Sequence, residues 1–263
     1  MKKFKTIVVF DSGLGGLTIL KKMLKQVQGF HIVYIADNLF NPYGEKTSEE
    51  IQHRVNFLFK KLCKTYLVEA FVIACNTATA YAIDSLRQTY QIPIIGMEPA
   101  IKPATQSSKN SKIGVLATSG TIQSARFTAL LGKFSSETCE FFVIPGKGLV
   151  ELIEDYVCNK HQINILLQSY RNYFLDKGID TLVLGCTHYP LIYNDIKKIF
   201  GEDVKLIETG DAVVARLVQQ IKPQDQVVDL GIDFLFTSKN HSYEKNIPYF
   251  FPEYKFRSFD LFD

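Results

Sequence analysis

Two short motifs recur in the same order along this chain, and that repeat limits its architecture more than any other feature. Phe10-Asp11-Ser12-Gly13 has a counterpart in Ala117-Thr118-Ser119-Gly120, and Val72-Ile73-Ala74-Cys75 has one in Val183-Leu184-Gly185-Cys186. Asp11 and Cys75 are 64 positions apart, and Thr118 and Cys186 are 68 apart, so order and spacing are both repeated. Chance can match one motif. A matched pair predicts two α/β halves of similar design, each presenting a cysteine where a strand meets a helix.

The runs TIVVFD, HIVYIAD, EAFVIAC, IPIIG, KIGVLAT, CEFFVIP, DTLVLGC and VKLIE alternate with longer helix-patterned stretches and end at polar or glycine-marked turns. That rhythm is the signature of βαβ units with a mostly parallel sheet. The runs are continuously apolar, as strands covered by helices on both faces must be. The expected fold class is α/β, with two pseudo-symmetric doubly wound domains. One domain should span residues 1–97 plus 209–263, with IDFLFTS as its final strand, and the other residues 98–208. Ligands of open α/β sheets bind outside the carboxyl ends of the strands. The two cysteines should therefore stand on opposite walls of one cleft between the domains.

Composition sets limits on partners. With 30 basic and 27 acidic residues, a net charge of +3 and no long block of either sign, nothing favours a nucleic acid or a membrane. The apolar run after the opening lysines is shorter than a secretory signal needs, and no segment approaches the length of a membrane span, so the expected location is cytoplasmic. The five cysteines are scattered, without CxxC or Cys/His spacing, which points to reduced thiols rather than a zinc site or a disulfide framework.

Two thiols in duplicated strand-to-helix contexts suit one chemistry in particular. Racemisation at an α-carbon removes a weakly acidic proton from one face and delivers another to the opposite face. A thiolate on one wall and a thiol on the other can do both. A free cysteine titrates near 8.5, so its surroundings must help. If each cysteine opens a helix, the backbone N–H groups around Asn76 and Thr77, and around Thr187 and His188, favour the thiolate. Asp11 should assist Cys75, and His188 should assist Cys186. The plain alternative is that both cysteines are small buried hydrophobes and His188 only caps a helix. Cys63, Cys139 and Cys158 lack this setting and read as structural or incidental.

The first turn, Asp11-Ser12-Gly13-Leu14-Gly15-Gly16, has a rival reading as a dinucleotide fingerprint. Against it, the third glycine of GxGxxG falls on Thr18, and Asp11 would meet the pyrophosphate with a like charge. A small carboxylate held by backbone N–H groups and the Ser12 hydroxyl fits better. The Asn41-Pro42-Tyr43-Gly44 turn should bring Tyr43 and the Gly44 amide to the same edge. Glu151 and Glu154 lie in a helix-forming stretch early in the second half.

With these residues assembled, the chain resembles the glutamate racemases across nearly its whole length. The resemblance rests on FDSGLGGLTIL, the Pro-Tyr-Gly turn, ACNTATA, ATSGTIQS and LGCTHYPLI, in the family's order. It implies interconversion of L- and D-glutamate with no cofactor, neither pyridoxal phosphate nor metal, to supply D-glutamate for peptidoglycan. Cys75 and Cys186 would be the alternating base and acid, assisted by Asp11, His188 and a glutamate, for which Glu154 fits better than Glu151. Asp11, Ser12, Tyr43, Gly44, Asn76, Thr77, Thr118, Thr121, Thr187 and His188 would bind substrate. An aspartate or related amino-acid racemase is the alternative within the same superfamily. A cell-wall precursor is the candidate activator and a homodimer the candidate assembly.

Overall fold

A computed structural model describes residues 4–135, 139–222, 231–239, 241–252 and 257–261. Ten strands are present among them: β1 (Lys5–Asp11), β2 (His31–Ala36), β3 (Leu67–Ile73), β4 (Ile94–Ile95), β5 (Lys112–Ala117), β6 (Glu140–Pro145), β7 (Thr181–Gly185), β8 (Lys205–Ile207), β9 (Ile232–Phe236) and β10 (Arg257–Asp260). They form two sheets, ordered β10-β9-β2-β1-β3-β4 and β6-β5-β7-β8, and every strand pairing is parallel.

The repeat read from the motifs is written into this topology. β2-β1-β3-β4 and β6-β5-β7-β8 are the same four-stranded order, with β1 matched to β5 and β3 to β7. In each unit the chain leaves the central strand on one side and returns on the other. The gap between β1 and β3, and between β5 and β7, is thus the switch point where ligands of such sheets bind.

The continuous apolar runs are explained by burial on both faces. Ile7 and Val9 face one core with Leu17, Leu20 and Met23 of the helix Leu17–Leu24, and Val8 and Phe10 face another. The second core includes Ile51, Val55, Leu58, Phe59 and Leu62, spaced three and four apart along the helix Ser48–Thr65. That helix starts at a capping box, in which the Glu50 N–H donates to Thr47 Oγ1 (3.3 Å) and the Thr47 N–H to Glu50 Oε2 (2.8 Å). Burying each of its five apolar side chains stabilises the fold by roughly 1.5–3 kcal/mol. The four-stranded sheet is likewise covered on both faces, around Leu116, Leu182 and Leu184 on one side and Ile113, Val115 and Val183 on the other.

IDFLFTS does not end its sheet as expected. β9 pairs with β2, and β10 adds a further parallel strand outside it. Arg257-Ser258-Phe259-Asp260 is short and largely exposed, so it carries no apolar run to announce a strand. No helix among the described residues is long and apolar enough to cross a membrane.

Candidate active site

Cys75 sits two residues past β3. The Ala74 N–H donates to Phe10 O (2.7 Å), extending the β1–β3 ladder, and Cys75 then caps the helix Asn76–Thr89, its sulfur accepting from the Ala78 N–H (3.4 Å). This is the strand-to-helix position expected. Cys186 follows β7 directly, but it opens no α-helix: a 3-10 turn, Tyr189–Ile192, comes first, and the helix begins at Tyr193. Pro190 has no N–H to give an i to i−4 bond, which explains the delay.

Both sulfurs line one cleft, of about 470 Å³ counting the open solvent at its mouth. Ser12, Tyr43, Gly44, Asn76, Thr77, Thr118, Thr187 and His188 line it as well. Asp11, Thr121 and Glu154 lie behind this wall, buried and in contact with residues that line it.

Behind Cys186 runs a chain of polar groups drawn from both sheets. The Cys186 sulfur is 3.7 Å from His188 Nδ1, and His188 Nε2 contacts Glu154 Oε1, which also accepts the Leu14 N–H (2.8 Å). Asp11 accepts the Gly13 N–H (2.7 Å) and the Thr187 hydroxyl (3.1 Å). The first turn of one half is therefore pinned to the cysteine loop of the other. Asp11 was expected to assist Cys75, yet its hydrogen bonds run to Gly13 and Thr187. The group within reach of the Cys75 thiol is the Ser12 hydroxyl, at 3.8 Å. Glu154 is buried against His188, whereas Glu151 is exposed at the rim of the cleft.

The electrostatics of the two walls differ. Burial, and then the negative Asp11, push the Cys75 thiol up to about 12, against a smaller opposing effect of the Ala78 N–H. Without substrate Cys75 is a thiol, so the expected thiolate is not the resting form on this wall. One helix N–H does not offset desolvation of the charged sulfur. Burial would lower His188, but its hydrogen bonds to Cys186 and Glu154, with the charges of both, outweigh burial and raise it well above 6.5. The contacts around the ring thus favour its imidazolium form. Burial raises Asp11, and the His188 charge opposes that shift.

A second cluster joins the halves on the other side of the cleft. The hydroxyls of Thr77, Thr118 and Thr121 form a triangle with edges of 2.8, 3.1 and 2.9 Å. Thr118 caps the helix Ser119–Gln123, as Cys75 caps its own. Tyr43 and Gly44 are held in place by a group that the motifs did not reveal. Buried Asp37 accepts the Tyr43 hydroxyl (2.6 Å), both Arg54 donors (2.7 and 2.8 Å) and the Thr237 hydroxyl (2.8 Å). The sequence signal was faint: Asp37 follows β2, and Arg54 lies nearly two turns into the helix Ser48–Thr65. Lys147, at the rim beside Glu151, was likewise missed.

Comparison with known proteins agrees with this geometry. Residues 7–217 match the Asp/Glu/Hydantoin racemase family. A glutamate racemase from Aliarcobacter butzleri is 43% identical over 87% of this chain and 89% of its own length. Among solved structures, a glutamate racemase from Bacillus anthracis superposes with a TM-score of 0.84 and 31% identity, over 98% of both chains. The Escherichia coli glutamate racemase, described in complex with L-glutamate and the activator UDP-MurNAc-Ala, gives 0.86 and 28% identity over 98% of this chain and 97% of its own. By sequence, fold and cleft alike, the chain belongs to the Asp/Glu/Hydantoin racemase family, among its glutamate racemases.

Proposed function

We propose that this chain is an isomerase that interconverts L- and D-glutamate by a two-base mechanism, with Cys75 and Cys186 as the proton-transfer groups. The observation that carries the reading is that the two thiols line one cleft from topologically equivalent strands, β3 and β7. One cysteine, as thiolate, takes the α-proton from its face of the substrate. The thiol opposite gives its own proton to the other face, so the product leaves with inverted configuration and the two cysteines have exchanged protonation states. Glu154 and His188 hold charge and a proton behind Cys186, while Asp11 and Ser12 set the field and the hydroxyl beside Cys75.

Hydroxyls of Ser12, Thr77, Thr118 and Thr187, the Tyr43–Gly44 turn with its Gly44 amide, and Asn76 suit the two carboxylates of glutamate, with Thr121 supporting the threonines from behind. These donors are mostly neutral. They orient the substrate without the strong positive charge that would stabilise the ground-state carboxylate as much as the carbanion. The reading needs no pyridoxal phosphate and no metal. The domain limits that accompany it are residues 1–97 with 209–263, and 98–208. D-Glutamate made in the cytoplasm would feed peptidoglycan synthesis. Because one structural neighbour is described with a UDP-linked activator, that precursor is the effector to add first, and a homodimer is the assembly to look for.

The test is incubation with L-glutamate in deuterated water, following optical rotation and α-deuteration. Loss of rotation with one deuteron gained per inversion is expected, unaffected by chelators and without added pyridoxal phosphate. Turnover of L-aspartate in place of L-glutamate would assign the alternative substrate, and neither signal would reject a racemase.

A further inference from the structure

Two polar atoms behind the His188–Glu154 contact lack a hydrogen bond of ordinary geometry, although both are buried: Glu154 Oε2 and the Tyr243 hydroxyl. They are complementary, since a phenol donates and a carboxylate oxygen accepts. They also sense each other. Burial raises the Tyr243 phenol well above its ordinary value, and the charge and hydrogen bonding of Glu154 are the next causes. Burying two such groups unpaired is costly, and the helices that carry them, Leu149–Glu154 and His241–Phe250, pack against each other.

The helix His241–Phe250 that carries Tyr243 is fastened to both halves. Tyr243 and Ile247 pack into the core on β1, with the Tyr243 ring edge-on to Phe236 at 5.5 Å. Nearly one turn after Tyr243, the fully buried Asn246 accepts the Val157 N–H (3.1 Å) and donates to Asp155 Oδ1 (3.2 Å). These contacts grip the junction immediately after Glu154. The C-terminal helix therefore fixes where the Glu154 backbone lies as well as what its side chain meets.

We infer that Tyr243 is a positioning residue of the racemase site: its hydroxyl donates to Glu154 Oε2 and keeps Glu154 on His188, and through His188 it acts on proton transfer at Cys186. The inference rests on the proposed pairing of His188 with Cys186. The charged and titratable groups facing this pair are Asp11 at the end of β1, Tyr34 on β2 and His188 after β7, with Cys186 beyond His188 and Cys75 beyond Tyr34. Tyr34 already donates to Gly13 O (2.6 Å) and is not a competing donor.

The experiment is a titration of the His188 ring by NMR in the substrate-free protein, wild type against Tyr243→Phe, alongside steady-state kinetics. Phe keeps the ring against Phe236 and removes only the donor. With the donor gone the carboxylate is free to turn away from Nε2, the imidazolium is held less firmly, and the His188 midpoint should fall by about one unit. kcat should fall about tenfold with KM little changed, and this loss should vanish in a Glu154→Gln background, where the partner is gone. Tyr243→Leu should shift the midpoint as Phe does, because the hydroxyl and not the ring acts. An unmoved midpoint in a Tyr243→Phe protein that melts like the wild type would overturn the inference. So would a shift seen with Leu alone, or an undiminished loss in the Gln background. Since the titration uses no substrate, a wild type that leaves L-glutamate unchanged would reject the proposed reaction and leave this result standing.

Discussion

Replacing Gly13 with alanine tests the join between the two halves with a single methyl. The new Cβ would overlap Glu154 Oε1 and lie 2.7 Å from Glu154 Cδ and 3.0 Å from Asn41 Nδ2. Carbon atoms rest about 3.5–4.0 Å apart, so the carboxylate must retreat by roughly 1 Å. Glu154 Oε1 is the atom that accepts the Leu14 N–H and contacts His188 Nε2. A misplacement of about 1 Å in such a constellation costs on the order of 100-fold in rate, which should appear in kcat. Stability should change less. A buried N–H left unpaired costs about 1–3 kcal/mol, offset by about 0.4–1 kcal/mol from the stiffer unfolded chain, for a net loss of about 1–2 kcal/mol. Racemisation kinetics and urea denaturation measure the two effects on one preparation. Gly132→Ala is the control, because its Cβ would meet nothing within 4 Å and it lies in the helix Ala125–Phe134. A folded Gly13→Ala enzyme with kcat within twofold of wild type would refute the claim that Glu154 must stay where it is.

Further outcomes follow from other buried groups. Asp37→Asn removes the carboxylate charge that Arg54 and Tyr43 donate to and slackens Tyr43, so urea denaturation should show a loss of about 3 kcal/mol and KM for glutamate should rise; unchanged values would show that the cluster holds nothing in place. The Cys75 thiol stands at about 12 in the folded protein, well above its ordinary value near 8.5, so the fold favours the neutral thiol. Its contribution to stability is complete below about pH 9 and is lost as pH rises toward 12. Buried Tyr34, Tyr43, Tyr189 and Tyr243 act in the same direction. The urea midpoint should therefore drop between pH 8 and 10.5, and drop less in Cys75→Ser; equal drops in the two proteins would contradict the shift.

How much of this could be read from sequence depends on how local each signal is. The cysteine walls were legible because each is a contiguous strand-and-turn motif, repeated in register. The fold class was legible because strands buried on both faces cannot hide their apolar runs. Asp37 with Arg54, and Tyr243 with Glu154, were not, since neither pairing leaves a mark on the residues flanking it. The balance of forces on the Cys75 thiol was hidden for a related reason. A helix N–H is visible in the order of the residues, but the depth of burial that outweighs it exists only once β1, β3 and the helix Asn76–Thr89 have packed. At Cys186 the expectation of a helix overlooked Pro190, which was in plain view. Glu154 was already preferred to Glu151 from the resemblance, but its contact with Leu14 of the first turn, across 140 residues of chain, leaves no mark in the sequence.

The central claim is that two thiols on opposite walls share one proton-transfer reaction. Its most direct test is the rate of α-deuteration and inversion of L-glutamate in deuterated water by the wild type, Cys75→Ser and Cys186→Ser, each checked for an intact fold by its melting curve. The account predicts that the wild type couples deuteration to inversion and that each serine variant loses inversion by at least about 10³-fold, since a serine hydroxyl is a far weaker acid than a thiol. Inversion at the wild-type rate by either variant would contradict it.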